Sequence, residues 1–352
     1  MEEMKLTMNG RQISFRKGDT ILEAASKAAI SIPTLCHLKD LTPTGACRIC
    51  LVEVVGARSL VASCAAPAEL GMVIQTDSDV VIKARKSIIS LMLASGNHSD
   101  CMLCPVSGDC RLQELAFRYK VKSSFPETKK PYPTESVNPL IIRNFSKCIL
   151  CGRCVQSCKE VQVNNAIDFG YRGSETKIVA KGDRPLKDSD CVFCGECLQA
   201  CPVGAIVAKD AYFKPRLCDT EKVRTTCPYC GVGCQQTLHV NDGRIVQVSG
   251  TAGAEPNHGR LCVKGRFGYE FIYSDDRIKT PLIKKGDVFK EATWGEALDL
   301  IADKFKEIIA EDGSDALAGV SCARSINEDS YQMQKLFRGV LGTNNIDHCA
   351  RT

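Results

Sequence analysis

Read for its alternation of apolar and polar positions, the chain changes character several times. Over residues 1–80 the pattern is that of short strands. Met4–Met8 and Arg11–Phe15 flank Asn9-Gly10, the strongest short signal for a tight hairpin. Thr20-x-x-Glu23 has the form of a capping box and predicts a short helix through Ala29, stopped by Pro33. From residue 80 the period lengthens. Val81, Ile82, Ile88, Ile89, Met92 and Leu93 share one face of a helix over Val80–Leu93, and Leu112, Leu115, Ala116 and Tyr119 mark another. Ser123–Asn138, with three prolines, several charges and little apolar content, reads as an extended linker. Asp168–Lys187 reads as an inserted hairpin. His239–Val248 alternates around Asp242-Gly243, again a hairpin signal.

Beyond Pro281 the pattern becomes α/β. Thr293-x-x-Glu296 caps a helix that places Trp294, Ala297, Leu298, Ile301, Phe305, Ile308 and Ile309 on one face. Ala316–Ser321 reads as a short buried strand, and Glu328–Val340 as a helix with Gly342 just past its end. One strand and two helices cannot cover both faces of a parallel sheet, so this last domain is expected to be unfinished.

Composition changes the picture in one respect above all: 22 of 352 residues are cysteine, and they are clustered. Such density means either disulfides in an oxidising compartment or metal sites in a reducing one. The N-terminus has neither an apolar signal core nor a twin-arginine pair, and no stretch approaches the ~18 apolar residues of a membrane span. A cytoplasmic metalloprotein is the expectation. The formal charge of +5 counts cysteines as neutral. Ligating thiols are deprotonated, so bound clusters would cancel that excess, and Arg48, Lys147, Arg153 and Lys159 stand beside cysteines where cations offset it. No lysine-rich stripe interleaved with aromatics is present, which argues against nucleic acid as a partner.

The cysteines fall into five groups. Cys148-x2-Cys151-x2-Cys154-x3-Cys158 and Cys191-x2-Cys194-x2-Cys197-x3-Cys201-Pro202 are matching runs. Three thiolates of such a run hold one cubane, and the fourth reaches the cubane of the other run. Cys148, Cys151, Cys154 and Cys201 are therefore expected to hold one [4Fe–4S] cluster, and Cys158, Cys191, Cys194 and Cys197 a second. Cys36, Cys47, Cys50 and Cys64, on loops around a hairpin and a helix, have the arrangement by which a β-grasp ferredoxin holds [2Fe–2S]. The gap from Cys36 to Cys47 exceeds the plant-type spacing. Cys101, Cys104 and Cys110 leave a cubane one ligand short, and His98 supplies a nitrogen donor. Cys227, Cys230, Cys234 and Cys262 form the fifth group. Structural zinc is the competing reading for each CxxC pair. His37, next to Cys36, reads as a packing residue. Cys218, Cys322 and Cys349 remain over, and are expected to act as buried small hydrophobes.

These motifs carry a family resemblance. The chain resembles the N-terminal part of the cytoplasmic, molybdenum- or tungsten-dependent formate dehydrogenase catalytic subunit, and its upstream portion is similar to the large iron–sulfur subunit of respiratory complex I. The segment 225–234 (TTCPYCGVGC) with Cys262-Val-Lys264-Gly265 looks like the cluster-binding opening of molybdopterin-guanine-dinucleotide oxidoreductases. Cys322-Ala-Arg324-Ser-Ile-Asn327-Glu328 and Gly342-Thr-Asn-Asn345-Ile-Asp-His348-Cys349-Ala-Arg351 look like formate dehydrogenase signatures. The family pattern places three residues between the histidine and the first cysteine of its site; here two separate His98 from Cys101.

The resemblance implies an α+β multidomain chain. Its parts are a β-grasp [2Fe–2S] ferredoxin domain (1–80), a helical domain with a one-histidine, three-cysteine cluster (81–122), a linker (123–138), a two-cluster bacterial ferredoxin domain (139–216), a [4Fe–4S] molybdopterin oxidoreductase domain (217–282) and the beginning of the pterin-binding α/β domain (283–352). It implies one [2Fe–2S] and four [4Fe–4S] clusters, with bis-molybdopterin guanine dinucleotide and Mo or W in the full subunit. Lys264 would relay electrons between pterin and cubane, and Arg351 would contact pterin or substrate. The family's metal ligand, selenocysteine or cysteine, is expected immediately after Thr352, so the chain is expected to stop at a selenocysteine codon and to be catalytically incomplete. Partners would be a flavin- and NAD(P)-binding subunit and a small iron–sulfur subunit like those of complex I, and ferredoxin. The rival readings are a stand-alone multi-cluster electron carrier and the electron-input module of an iron-only hydrogenase. Anaerobically purified chain should contain about 18 iron atoms and little zinc by elemental analysis; a zinc-loaded protein would establish the ribbon reading instead.

Overall fold

The computed structural model describes residues 4–39, 41–96, 98, 100–126, 132–212 and 214–349. It divides into two compact units, Met1–Lys222 with His239–Gln247, and Val223–Leu238 with Val248–Thr352.

In the first unit, β1 (Met4–Met8) and β2 (Arg11–Phe15) pair antiparallel with Met4 opposite Phe15. Asn9 and Gly10 both have positive φ (50° and 75°), the requirement of the tight hairpin turn. Alternation then puts Leu6, Met8, Ile13 and Phe15 on the buried face. The Asn9 side chain also bonds Thr76 in both directions, fixing the turn to a distant strand. Helix α1 (Ile21–Lys27) starts with the complete Thr20/Glu23 capping box. It ends short of the expected Ala29, because Ala29 turns left-handed at φ 57°. β3 (Leu51–Val54), β4 (Val61–Ala62) and β5 (Val73–Gln75) complete a five-stranded sheet, ordered β2-β1-β5-β3-β4, against which α1 packs through Ile21, Leu22, Ala24 and Ala25.

α2 (Asp79–Ala94) and α3 (Arg111–Arg118) follow, the first capped by the Ser78 side chain. α2 carries the fully buried Arg85, which sequence periodicity does not single out. Its guanidinium donates to the carbonyls of Ile49 (3.0 Å) and Leu51 (2.8 Å), to Asp77 (2.9 Å) and to the Tyr119 hydroxyl (3.0 Å). One side chain thereby ties the helices to the loop that carries Cys47 and Cys50.

β6 (Ile141–Arg143) leads into α4 (Arg153–Gln156), which runs on through a widened helical turn over Ser157–Val161. The inserted hairpin is β7 (Ile167–Gly170) with β8 (Lys177–Ala180), followed by α5 (Glu196–Ala200) and β9 (Ile206–Ala208). β9 returns to pair antiparallel with β6, Ile141 opposite Ala208, so the segment closes on itself. β10 (Glu221–Thr226), β11 (Gln235–Asn241) and β12 (Arg244–Gly250) are hydrogen-bonded in that order.

In the second unit come α6 (Val263–Phe267), the hairpin β13 (Leu282–Lys285) with β14 (Val288–Glu291), and α7 (Trp294–Asp312) with its Thr293/Glu296 capping box. β15 (Gly319–Ser321), α8 (Asn327–Gln334) and β16 (Ile346–His348) complete the described chain, β15 and β16 pairing in parallel. Two expectations need correction here. The strand near Ala316 is confined to Gly319–Ser321, and its Val320 is 72% exposed rather than buried. The apolar stripe of α7 is covered only where Phe305, Ile308 and Ile309 meet Leu317, Phe337 and Leu341; Trp294, Leu298 and Ile301 face outward. The two-stranded sheet is too narrow to reach them.

Arg85→Met should lower the unfolding free energy by about 3 kcal/mol or more, because two buried carbonyls and Tyr119 lose their donor. A chemical-denaturation midpoint indistinguishable from that of the native chain would refute this role.

Candidate metal centres

The first group is the most enclosed. Cys36, Cys47, Cys50 and Cys64 are 1%, 4%, 1% and 1% exposed. The Cys36 and Cys47 amides donate to each other's sulfurs at 3.4 and 3.5 Å, and the Cys50 and Cys64 sulfurs are 3.3 Å apart. Hydrogen bonds from the Cys47 and Cys64 thiols hold Cys36 far below the ordinary thiol range, and the Cys64 thiol brings Cys50 down to about 6. Cys47 and Cys64 are raised, chiefly because they donate to that neighbouring sulfur, with burial adding to it. Four soft donors in an apolar interior, two held as thiolates and two as thiols that release their protons on binding, suit a compact, positively charged inorganic core.

The second group lies on a turn, Cys101–Leu103, and at the N-terminus of α3, where Cys110 is the cap residue. Cys101 and Cys110 are raised mainly by burial, and both feel the charge of Cys104. His98 has its Nε2 buried, and its carbonyl accepts from the Cys101 thiol at 3.4 Å. Gly204, in the turn after Cys201-Pro202, is needed for a close approach: a Cβ there would lie 2.7 Å from the Cys104 sulfur. Nothing local to Cys104 in the sequence signals that neighbour.

The paired runs adopt one loop twice. Leu150 and Phe193, two residues into each run, are left-handed at φ 53°, and Gly152 and Gly195 follow at φ 77° and 76° to start α4 and α5. Turning the backbone this way aims N–H groups at sulfur, as the Leu150 amide does at Cys148 (3.4 Å). A cavity is lined by Cys148, Cys151, Cys154 and Cys201 with the apolar Ile167, Ile178, Val203 and Ile206. The fourth cysteine of the second run thus joins the first three of the other. Cys197 reaches the same wall. Burial raises Cys151 to about 12, Cys201 to about 11 and Cys154 well above its usual value, so each must release a proton to become a ligand. On the other side, burial raises Cys191 and Cys158 adds to it, the Cys158 sulfur itself accepting from the Ala166 amide at 3.3 Å. The bidentate Arg143–Glu135 pair (3.1 and 2.6 Å) also acts on Cys191.

In the second unit, Cys227, Cys230, Cys234 and Cys262 come within electrostatic reach of one another; burial raises Cys227 and Cys234 first, and the neighbouring thiols add to it. The Cys227 amide donates to the Cys234 carbonyl at 2.8 Å. A Cβ at Gly231 would lie 2.9 Å from the Ser325 carbonyl, so this loop rests directly against the segment that follows Cys322. Lys264 lies on α6, two residues after Cys262, with its side chain exposed. Arg351 lies outside the described residues. Among the described residues no three His, Cys, Asp or Glu side chains are arranged around a single ion.

The three remaining cysteines do not behave as buried hydrophobes: Cys218, Cys322 and Cys349 are all exposed. Each sits just past or within a short turn rather than inside an element. Cys218 lies over Gly108, where a Cβ would meet its sulfur at 2.5 Å, and the Cys322 and Cys349 sulfurs stand 3.7 Å apart beyond the ends of β15 and β16.

This arrangement defines a multi-centre iron–sulfur protein, and comparison with known proteins agrees. Family models match for a 2Fe-2S iron-sulfur cluster binding domain (1–79), the NADH-ubiquinone oxidoreductase-G iron-sulfur binding region (85–124), a 4Fe-4S dicluster domain (147–205), the molybdopterin oxidoreductase Fe4S4 domain (220–274) and molybdopterin oxidoreductase (277–352). The alpha subunit of an NADPH-Fe(3+) oxidoreductase from Geobacter sulfurreducens is 38% identical over 350 residues, covering 99% of this chain and 40% of that protein. A Staphylococcus aureus protein provisionally named a formate dehydrogenase is 30% identical over 390 residues, covering 99% of this chain and 39% of its own length. Among solved structures, a chain of an NAD+-reducing [NiFe]-hydrogenase in the H2-reduced state matches with a TM-score of 0.57 and 32% identity, covering 61% of this chain and 91% of that one. The chain thus combines 2Fe-2S, 4Fe-4S and molybdopterin oxidoreductase domains, the domain set of an iron–sulfur electron-transfer module. It spans about two fifths of the length of the curated relatives it matches.

If ligands are exchanged between the paired runs, Cys201→Ser should abolish the same paramagnetic signal as Cys148→Ser, and Cys158→Ser the same signal as Cys191→Ser. Electron paramagnetic resonance of the four reduced variants decides it; signals lost run by run, without exchange, would refute it.

Proposed function

We propose that the chain is the electron relay of a formate dehydrogenase, or of a CO2 reductase working in the reverse direction. The observation that carries the relay is the packing of one apolar cluster. Cys36 and Cys47 of the first group, Cys110 of the second, and Cys148, Cys151 and Cys201 of the paired runs all contribute to it, with Leu35, Ile49, Ile89, Leu112 and Val203 between them. Three sets of thiols border one shared apolar cluster, which shields the path between them from water.

In this reading the domain boundaries are those expected from the sequence. Cys36, Cys47, Cys50 and Cys64 hold [2Fe–2S]; His98, Cys101, Cys104 and Cys110 hold one [4Fe–4S], and the paired runs hold two more through exchanged ligands. Cys227, Cys230, Cys234 and Cys262 hold the cluster next to the pterin. A molybdenum or tungsten ion on two pterin dithiolenes supplies the two-electron chemistry at formate when bound. This chain's part is to carry the electrons singly. Lys264, beside Cys262, places a cation where charge-assisted hydrogen bonds to pterin and cluster stabilise added electrons. Arg351 is assigned to pterin or substrate. No helix among the described residues is long and apolar enough to cross a membrane, in keeping with cytoplasmic partners: a flavin- and NAD(P)-binding subunit, a small iron–sulfur subunit, and ferredoxin.

Formate as substrate is supported by the segments 322–328 and 342–351 and by the named Staphylococcus relative. The Geobacter relative favours a second reading, in which NADPH is oxidised and formate plays no part. The native assembly containing this chain, isolated anaerobically and oxidised, should show its clusters reduced within seconds of adding formate, followed by electron paramagnetic resonance. Reduction by NADPH with no response to formate would establish the second reading.

A further inference from the structure

Arg153 is the first residue of α4, immediately after the left-handed Gly152 and inside the Cys148–Cys158 run, where the sequence suggests a counter-charge. The structure buries it. It is only 8% exposed. Its Nη1 reaches out of the run to the Leu35 carbonyl at 3.4 Å, the residue just before Cys36. Its Nε is buried without a hydrogen-bond partner. It makes no ion pair with a carboxylate among the described residues. Lys147, buried immediately before this run, is by contrast paired with Asp100. The side chain therefore spans the seam where Leu35 and Cys36 meet Cys151 and Cys201 in the shared apolar cluster.

We propose that Arg153 is a positioning residue common to two centres, a buried cation that raises the reduction potentials of both the Cys36/Cys47/Cys50/Cys64 cluster and the Cys148/Cys151/Cys154/Cys201 cluster. This rests on the cluster assignments made above. Each reduction adds one negative charge to a cluster whose surroundings screen poorly, and an unneutralised guanidinium nearby favours that added charge. Arginine suits the role because it keeps its proton in proteins. Burial and then Arg111 lower its hold on the proton, and the sulfurs of Cys151, Cys201 and Cys36, drawn from both centres, act the other way. A residue that merely anchored the Leu35 carbonyl would leave the potentials alone.

The test is a redox titration of the anaerobically purified chain, monitored by electron paramagnetic resonance. The unaltered protein must first show both signals; if either is missing, the cluster assignment itself fails. With both present, Arg153→Gln should raise the oxidised-to-reduced ratio of both centres about tenfold at their native midpoints, equivalent to about 59 mV for one electron. The Cys191-containing and Cys227-containing centres should not move. Arg153→Lys keeps a cation near its own loop but lacks the planar fork that reaches Leu35, so only the Cys36 centre should shift. Should Arg153→Gln lose iron, Arg153→Lys decides alone: a shift confined to the Cys36 centre supports the proposal. No shift at either centre overturns it, as does a shift in Arg153→Gln of one centre only.

Discussion

The structure depends on confining thiol charge in an apolar interior. A thiolate out of water is costly unless something compensates it, and the protein meets that cost by local geometry. In the Cys36 group, thiols donate to thiolates. In the paired runs, left-handed residues at Leu150 and Phe193 turn backbone amides toward sulfur. Gly204 lets the backbone come close to Cys104, where a Cβ would lie 2.7 Å from its sulfur, and Gly152 supplies a left-handed turn at φ 77°. The elements are short as a result: in this part of the chain the metal loops determine where α4 and α5 begin.

Packing then converts separate loops into a relay. Leu35, Ile49 and Val203 belong to three different segments, yet all contribute to one cluster of buried side chains. Arg85 holds the helices to the Cys47–Cys50 loop through backbone carbonyls, so stability and the spacing of centres have a common cause. Displacing α2 would disturb the Cys47–Cys50 loop and the packing around Cys110 together.

Much of this was legible in the residues themselves. Asn9-Gly10, Thr20/Glu23 and Thr293/Glu296 specify their turn and caps through interactions within a few positions, and the structure forms each of them. The cysteine spacings announced where thiols would gather. What stayed hidden depends on neighbours far along the chain. Arg85 looks like a surface residue of an amphipathic helix until the carbonyls at Ile49 and Leu51 come into place. Gly204 has no meaning until Cys104 lies against it. The exposure of Val320, Cys322 and Cys349 was missed for the opposite reason: apolar identity argues for burial only where enough sheet exists to cover it, and β15 with β16 is two strands wide.

The pairing of β6 with β9 has a consequence for how this protein tolerates change. Because the first and last strands of the dicluster segment clasp each other, the Ile167–Ala180 hairpin hangs from a ring already shut. Changes at the tip of that excursion alter what the surface presents, whereas Ile167 and Ile178 at its base line the cavity of Cys148, Cys151, Cys154 and Cys201 and have to stay. The same clasp brings the two ends of the segment together, so that the chain enters and leaves it at neighbouring points.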